Sequence, residues 1–355
     1  MTKRGRPKKS LSEKLVESRQ EELSEESRKK VEQGLKEAGE GKLEVIDVKD
    51  IEKQDKLKRV VNDLSKQFGK SVIRLAGQEA EKERIPFGLE QLDKLLGGGI
   101  PSGMFSILWG NKSSAKTTLT YLLIAQAQKR GKTCLFMDLE QSFDKEWARQ
   151  MGVNVDTLLL GDFENAEQCL DTIIKLTGEK CVDLIVLDSI QSLSPKGEQE
   201  TKTGKEKSME DDTMALLARK LSQFFRMTAH RVFKGEVAML LIGQARTDLG
   251  SFVKLDTLSG GHALGHWSAI TLKTYRGSKA DAPRYKFKVD GKSKELIIGF
   301  SLNMKIEKTK ISGTAPESSV ITLPFYYEYG FNKPTDEQIE NTFKDWIEFE
   351  SEDEK

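Results

Sequence analysis

The residues with the clearest chemical potential form the run Gly110-Asn111-Lys112-Ser113-Ser114-Ala115-Lys116-Thr117-Thr118. The run leaves an apolar, strand-like segment and opens a helical pattern, the context in which such a loop holds phosphate. A tight loop turns successive backbone N–H groups inward, and the following helix adds the positive end of its dipole. Lys116 can then meet the β- and γ-phosphate oxygens, and the Thr117 hydroxyl can meet Mg²⁺. One position departs from the pattern. Ala115 stands where glycine usually precedes the lysine, and its Cβ is costly if that φ must be positive. A chance lysine–threonine turn is the alternative to a phosphate loop.

Two further acids could serve that loop. Leu184-Ile185-Val186-Leu187-Asp188 is an apolar strand that ends in a carboxylate, which downstream of a phosphate loop orients Mg²⁺. Phe136-Met137-Asp138-Leu139-Glu140 releases a second carboxylate from a strand end. Glu140 could polarise an attacking water, or be an ordinary strand-end acid. His262 and His266 lie four apart, but no cysteine or carboxylate set completes a metal site around them. Cys134, Cys169 and Cys181 include no CxxC pair and sit in apolar segments, so all three read as core thiols in a reducing compartment.

The elements that must position these residues alternate along the chain. Strand-like runs at Phe105–Trp109, Thr133–Leu139, Val182–Ser189 and Val237–Gln244 are separated by helical patterns at about 117–130, 144–151, 164–177 and 211–230. Near-continuous apolar strands between helices predict an α/β fold: a mostly parallel sheet covered on both faces. Ala269–Tyr275, Leu296–Ile306 and Val320–Tyr327 follow without intervening helices, which predicts antiparallel strands added at one end.

Four regions result. Residues 1–55 are rich in Lys, Glu, Arg and Ser, and predict a solvated helix or a largely disordered arm. Residues 56–80 hold Leu57, Val60, Val61, Leu64 and Phe68 at helical spacing, Gly69 as a helix stop, and the strand-like Ser71–Leu75. Residues 81–331 form the core. In 332–355, Thr335 and Gln338 have capping-box spacing ahead of Ile339, Phe343, Trp346 and Ile347, and an acidic tail follows. The formal charge is +1, which excludes a globally basic nucleic-acid binder but not local patches. No apolar run approaches a membrane span and no secretory signal is visible, so a cytoplasmic protein is expected, nucleoid-associated or in a host cytoplasm.

From about Val60 to Phe331 this ordered series resembles the RecA family of recombinases. The resemblance implies a RecA-like P-loop ATPase core that binds ATP and Mg²⁺. Gly110–Thr118 resembles the family's Walker A loop, with Ser113, Ser114, Lys116, Thr117 and Thr118 matching and Ala115 not. Glu140 falls at the catalytic glutamate, Asp188 at the Walker B acid, and Asp144 and Trp147 where the family contacts and stacks on adenine. Leu241-Ile242-Gly243-Gln244-Ala245-Arg246 resembles the strand ending in the γ-phosphate-sensing glutamine. Lys308 and Lys310, within Lys305–Lys310, resemble the paired lysines that reach ATP across a protomer interface. The 56–80 element resembles the helix and strand that pack on the next protomer.

The resemblance also implies DNA. Lys196, Lys202, Lys205 and Lys207 lie in the first DNA-binding loop, with Glu198, Glu200, Glu206 and Glu210 interleaved. Arg246, Phe252 and Lys254 lie in the second. Both loops could also be solvated insertions. Arg4 and Arg6, within Lys3-Arg4-Gly5-Arg6-Pro7-Lys8-Lys9, resemble an AT-hook that reads the A·T minor groove, or a generic basic tail. The C-terminal domain usual in bacterial members is nearly absent, as in shortened phage forms. The implied function is filament assembly on single-stranded DNA with homologous pairing against duplex DNA, helped by single-strand-binding and loader proteins. A nucleotide-gated DNA scaffold with little hydrolysis, or a RecA-core helicase or motor, are the alternatives.

Overall fold

The computed structural model describes residues 48–69, 73, 76, 81–199, 216–247, 256–258, 262–289 and 292–347. The chain divides into two compact units, Met1–Glu81 and Lys82–Lys355. In the first, helix α1 spans Val48–Phe68 and so begins inside the region expected to be an arm. Gly69 ends it at φ 103°, its N–H donating to the Ser65 carbonyl at 3.0 Å. Leu57, Val60 and Phe68 of the anticipated apolar stripe remain exposed. The anticipated strand Ser71–Leu75 falls almost wholly outside the described residues, and Ile73 within it is exposed.

The second unit carries the sheet. Short strands β1 (Arg84–Ile85) and β2 (Ile100–Pro101) pair with each other around helix α2 (Glu90–Leu95). The main sheet then builds from β3 (Phe105–Gly110), β4 (Cys134–Asp138), β5 (Leu159–Gly161), β6 (Leu184–Asp188) and β7 (Ala238–Thr247). Helices α3 (Lys116–Lys129), α4 (Lys145–Gln150), α5 (Ala166–Glu179), α6 (Lys196–Gln199) and α7 (Leu216–Gly235) intervene. After β8 (Asp256–Leu258) and α8 (His262–Trp267) come β9 (Ser268–Arg276), β10 (Arg284–Val289), β11 (Lys292–Ile297), β12 (Gly299–Thr309), β13 (Val320–Tyr326) and α9 (Asp336–Thr342). The order across the sheet is β13-β12-β9-β3-β7-β6-β4-β5, with β8 pairing β7. The β9-β3-β7-β6-β4-β5 block is parallel, and β12 and β13 add antiparallel at the β9 end as predicted, but β9, expected as an antiparallel addition, runs parallel to β3 because it returns through α8 to the same end of the sheet.

Burial explains why the strands read as continuous apolar runs. All six residues of β3 are buried. Leu108 packs into the core that includes Leu119 and Leu123 of α3, while Phe105, Ile107 and Trp109 pack into the one that includes α5 and α7. Helix α5 shows the matching logic. Ala166, Cys169, Leu170, Ile173 and Thr177 form one buried stripe, and Asn165 Oδ1 caps the helix by accepting from the Gln168 N–H at 3.0 Å.

Three further expectations need correction. Leu296–Ile306 is not one strand, because the chain breaks at Ile298 between β11 and β12. A Cβ at Gly299 would lie 1.9 Å from the Phe325 carbonyl oxygen, so glycine is what lets β12 approach β13 there. β11 pairs with β10 in a separate hairpin. Cys181 is exposed rather than a core thiol, whereas Cys134 and Cys169 are buried, with thiols pushed up to about 12 by burial. At the C-terminal helix the Thr335/Gln338 capping box forms and Ile339 is buried, but Trp346 stays exposed. No described helix is long and apolar enough to cross a membrane.

Candidate functional site

A cleft of about 560 Å³ opens at the C-terminal ends of the parallel strands. Its lining includes Lys112–Thr118, Glu140, Asp188 and Gln244, which separate strands deliver. That is the place where an open parallel sheet forms ligand sites.

The loop after β3 is held in an unusual shape. Gly110 cannot be replaced without movement, because a Cβ there would sit 1.9 Å from the Thr274 carbonyl oxygen. Ser113 (φ 55°) and Ala115 (φ 56°) both adopt left-handed conformations. Each costs a non-glycine residue about 1–3 kcal/mol. The cost anticipated for Ala115 is therefore incurred, at the N-cap of α3. Buried side chains offset part of it. Ser114 Oγ donates to the Asn111 carbonyl at 2.7 Å and lies 2.9 Å from Thr274 Oγ1.

Lys116 Nζ donates to the carbonyls of Gly110 (3.1 Å) and Asn111 (2.7 Å). Burial lowers its pKa, and the charges of Asp188 and Glu140 oppose that. Asp188 is 4% exposed, and its carboxyl is pushed up to about 7. Burial is the main cause and the nearby Glu140 charge the second, while Lys116 and a hydrogen bond with Thr117 act the other way. The Thr117 hydroxyl and these carboxylates are hard oxygen donors, the set that suits Mg²⁺ rather than a soft metal. With the close-fitting Gly110 turn, the residues present fit a magnesium-bound nucleotide.

Glu140 stands on a built turn. Asp138 accepts from the backbone N–H groups of Ser142 (3.1 Å) and Phe143 (2.8 Å), and Gln141 takes φ 52°. Glu140 Oε1 accepts from Ser189 Oγ and from Gln244 Nε2, the latter at 2.6 Å. The Gln244 backbone N–H donates in turn to Gln191 Oε1 at 3.0 Å. One network thus joins the ends of β4, β6 and β7.

Other anticipated residues lie apart. Asp144 caps α4 by accepting from the Trp147 N–H at 2.9 Å, and Trp147 Nε1 donates to Thr118 Oγ1 at 3.1 Å. Trp147 is half-buried against the core, and neither residue lines the cleft. Lys308 and Lys310 are also off the cleft wall. Both ammonium groups donate to α8 carbonyls, Lys308 to Gly265 and Lys310 to His266. Lys196 is exposed at the start of α6, its backbone N–H donating to Glu167 Oε2 at 2.9 Å. The backbone of Arg246 pairs with Thr257. Arg4, Arg6, Lys202, Lys205, Lys207, Phe252 and Lys254 lie outside the described residues.

Sequence reasoning missed four members of the lining: Arg276, Phe300, Phe325 and Tyr327. Arg276 ends β9, and its Nε donates to the Ser113 carbonyl at 2.9 Å. Thr274 and Gln191, which brace the site from behind, were missed as well. Their only sequence signal is a polar residue at a strand end or just beyond one.

The profile of the RecA N-terminal domain matches residues 55–331. Protein RecA from Paramagnetospirillum magneticum (strain ATCC 700264 / AMB-1) is 32% identical over 296 residues, covering 82% of this chain and 77% of its own. A crystal structure of the RadB recombinase is similar at 20% identity and a TM-score of 0.49, over 71% of this chain and 100% of that one. The profile match over most of the chain and the 32% identity to a RecA protein lead to one conclusion: this chain belongs to the RecA family.

Proposed function

We propose that the chain is a DNA-dependent ATPase that forms filaments on single-stranded DNA and catalyses homologous pairing and strand exchange. The observation that carries this is the convergence of Lys116, Asp188, Glu140 and Gln244 on one cleft. Lys116, Thr117 and the loop N–H groups would hold the phosphates, and Thr117 and Asp188 the magnesium ion. Bound Mg²⁺ would neutralise phosphate charge. Glu140 would accept a proton from the attacking water, its carboxylate aimed by Ser189 and Gln244. Gln244 would exchange its Glu140 contact for the γ-phosphate and so report nucleotide state along β7 to the segment that follows. Lys308 and Lys310 would complete a neighbouring copy's site.

Family membership supports the recombinase reading. DNA contact through Lys196, Lys202, Lys205, Lys207, Arg246, Phe252, Lys254, Arg4 and Arg6 and the loader partners rest on the sequence resemblance alone. So does the adenine role of Asp144 and Trp147.

The test is ATP hydrolysis with and without single-stranded DNA, beside Glu140→Gln. DNA-stimulated turnover that the variant abolishes supports the ATPase. No turnover, with nucleotide-dependent DNA binding intact, favours the scaffold. Turnover coupled to strand separation favours the motor.

A further inference from the structure

The phosphate loop carries two left-handed non-glycine residues, Ser113 and Ala115, and something must hold them there. The last part of β9 does so from two positions on one face. The Ser114 proton goes to the Asn111 carbonyl, so the Thr274 hydroxyl donates to Ser114 Oγ at 2.9 Å, and it lies 3.3 Å from the Trp109 carbonyl. Arg276, two residues on, donates from Nε to the Ser113 carbonyl at 2.9 Å. Consecutive loop residues are therefore gripped from alternate residues of one strand.

Arg276 is itself fixed. Its guanidinium lies over the Phe300 ring, 4.2 Å from the centroid, and Phe300 belongs to the buried core. A planar guanidinium seated on a buried ring is a stiff donor, unlike a lysine ammonium on a flexible stem. The contact also matters more here than on a glycine-containing loop. Glycine at position 115 would take φ 56° freely, whereas alanine resists it.

We propose that Arg276 is a positioning residue that clamps the Ser113–Ala115 turn in its phosphate-binding shape, a role made necessary by Ala115. This rests on the nucleotide-site reading above and adds a residue to it. The clamp acts before any chemistry, so its loss should weaken nucleotide binding more than it slows turnover of bound ATP. A hydrogen bond from a charged donor sets the scale, about tenfold to a hundredfold in nucleotide affinity.

The test measures binding of a fluorescent ADP analogue with Mg²⁺ to the full chain, the variants Arg276→Ala, Arg276→Gln and Ala115→Gly, and the double variant Arg276→Ala/Ala115→Gly. Thermal unfolding of each variant without nucleotide separates loss of fold from loss of the clamp. The expected result is weakened binding in Arg276→Ala at an unchanged fold, with most of the loss recovered by adding Ala115→Gly. Wild-type affinity in Arg276→Ala overturns the proposal. So does a loss that Ala115→Gly leaves unrelieved, since that is the behaviour of a direct phosphate contact. An unfolded Arg276→Ala passes the decision to Arg276→Gln, which loses the charge and the seat on the ring, and to Arg276→Gln/Ala115→Gly: weak binding in the first that the second relieves supports the clamp, and unrelieved weak binding or wild-type affinity overturns it. If the wild-type chain binds no nucleotide, the functional reading itself falls and takes the clamp with it.

Discussion

The Gln244 side chain donates to Glu140 Oε1 at 2.6 Å, across 104 residues of sequence. The contact joins a residue at the end of β7 to the carboxylate beyond β4, and it sits inside the cleft rather than behind it. A carboxylate that accepts from an amide and a hydroxyl is held in one orientation. Glu140→Gln keeps the shape but removes the base. Turnover should fall by about 100-fold to 10,000-fold, the usual weight of general-base catalysis. Nucleotide affinity should stay within a few-fold of wild type. Gln244→Ala should leave hydrolysis in the absence of DNA less affected than its stimulation by DNA. Steady-state assays on both variants, with and without single-stranded DNA, check this. Equal loss of basal and stimulated rates in Gln244→Ala would count against a reporting role.

Gly110 meets β9 more closely than any side chain allows. A Cβ would come 1.9 Å from the Thr274 carbonyl oxygen and 2.7 Å from Thr274 Oγ1. The nearer atom is backbone in a strand paired on both sides, so it cannot step away cheaply. Gly110→Ala should destabilise the fold by about 1–3 kcal/mol and distort the loop that Thr274 braces. Chemical unfolding gives the first quantity and nucleotide titration the second. A variant with wild-type stability would mean that β3 and β9 separate more easily than their pairing indicates.

Asp188 predicts a pH dependence. Its carboxyl is raised from an ordinary 3.8 to about 7, chiefly by burial and then by Glu140. Between those values the unfolded chain has lost the proton and the folded chain keeps it. Stability contributed by this group therefore falls as pH rises through that window, and levels off above it. Cation binding has the opposite slope, because a carboxylate must be ionised to hold Mg²⁺. Raising pH from about 6 to about 8 should tighten Mg²⁺-dependent nucleotide binding while lowering the stability of the nucleotide-free chain. Asp188→Asn should flatten both trends. Urea unfolding and nucleotide titration at a series of pH values read them, and parallel slopes in wild type and variant would remove Asp188 as their source.

Much of this architecture was legible because it is local. The loop 110–118, the strand ending in Asp188 and the alternation of apolar runs with helices each lie within a few residues of their own signal. The parallel setting of β3, β4, β6 and β7 followed from strands buried on both faces, while that of β9 did not. What escaped notice was brought in by topology. Thr274 falls inside the strand-like run Ala269–Tyr275 and Arg276 just beyond it, with no signal of their own, yet the placement of β9 beside β3 sets them 160 and 163 residues away against Ser114 and Ser113. Phe300, Phe325 and Tyr327 fall within late strand-like runs, and they line the cleft because β12 and β13 extend the sheet on its side. Asp144 shows the reverse. Family resemblance pointed to adenine, while local chemistry makes it a helix cap, and one carboxylate can do both if its second oxygen faces the ligand.

Lys308 and Lys310 separate a structural role from a shared one. Within one chain their ammonium groups sit on the carbonyls of Gly265 and His266, near the end of α8, and neither lines the cleft. Burial and the Lys310 charge bring Lys308 down to about 8, so it is a cation that would gain from an added anion. If it meets the phosphates of a neighbouring copy, each site needs Lys308 from one chain and Glu140 from the next. Lys308→Ala and Glu140→Gln should then each be inactive alone. Mixed in equal amounts they should recover up to about a quarter of wild-type turnover, because head-to-tail assembly pairs the two intact residues at that share of interfaces. A purely structural Lys308 gives a different result. The Lys308→Ala chain would unfold at lower temperature through loss of the α8 contact, and mixing would restore nothing. Turnover of the mixture as a function of DNA concentration, beside thermal unfolding of each variant, distinguishes the two.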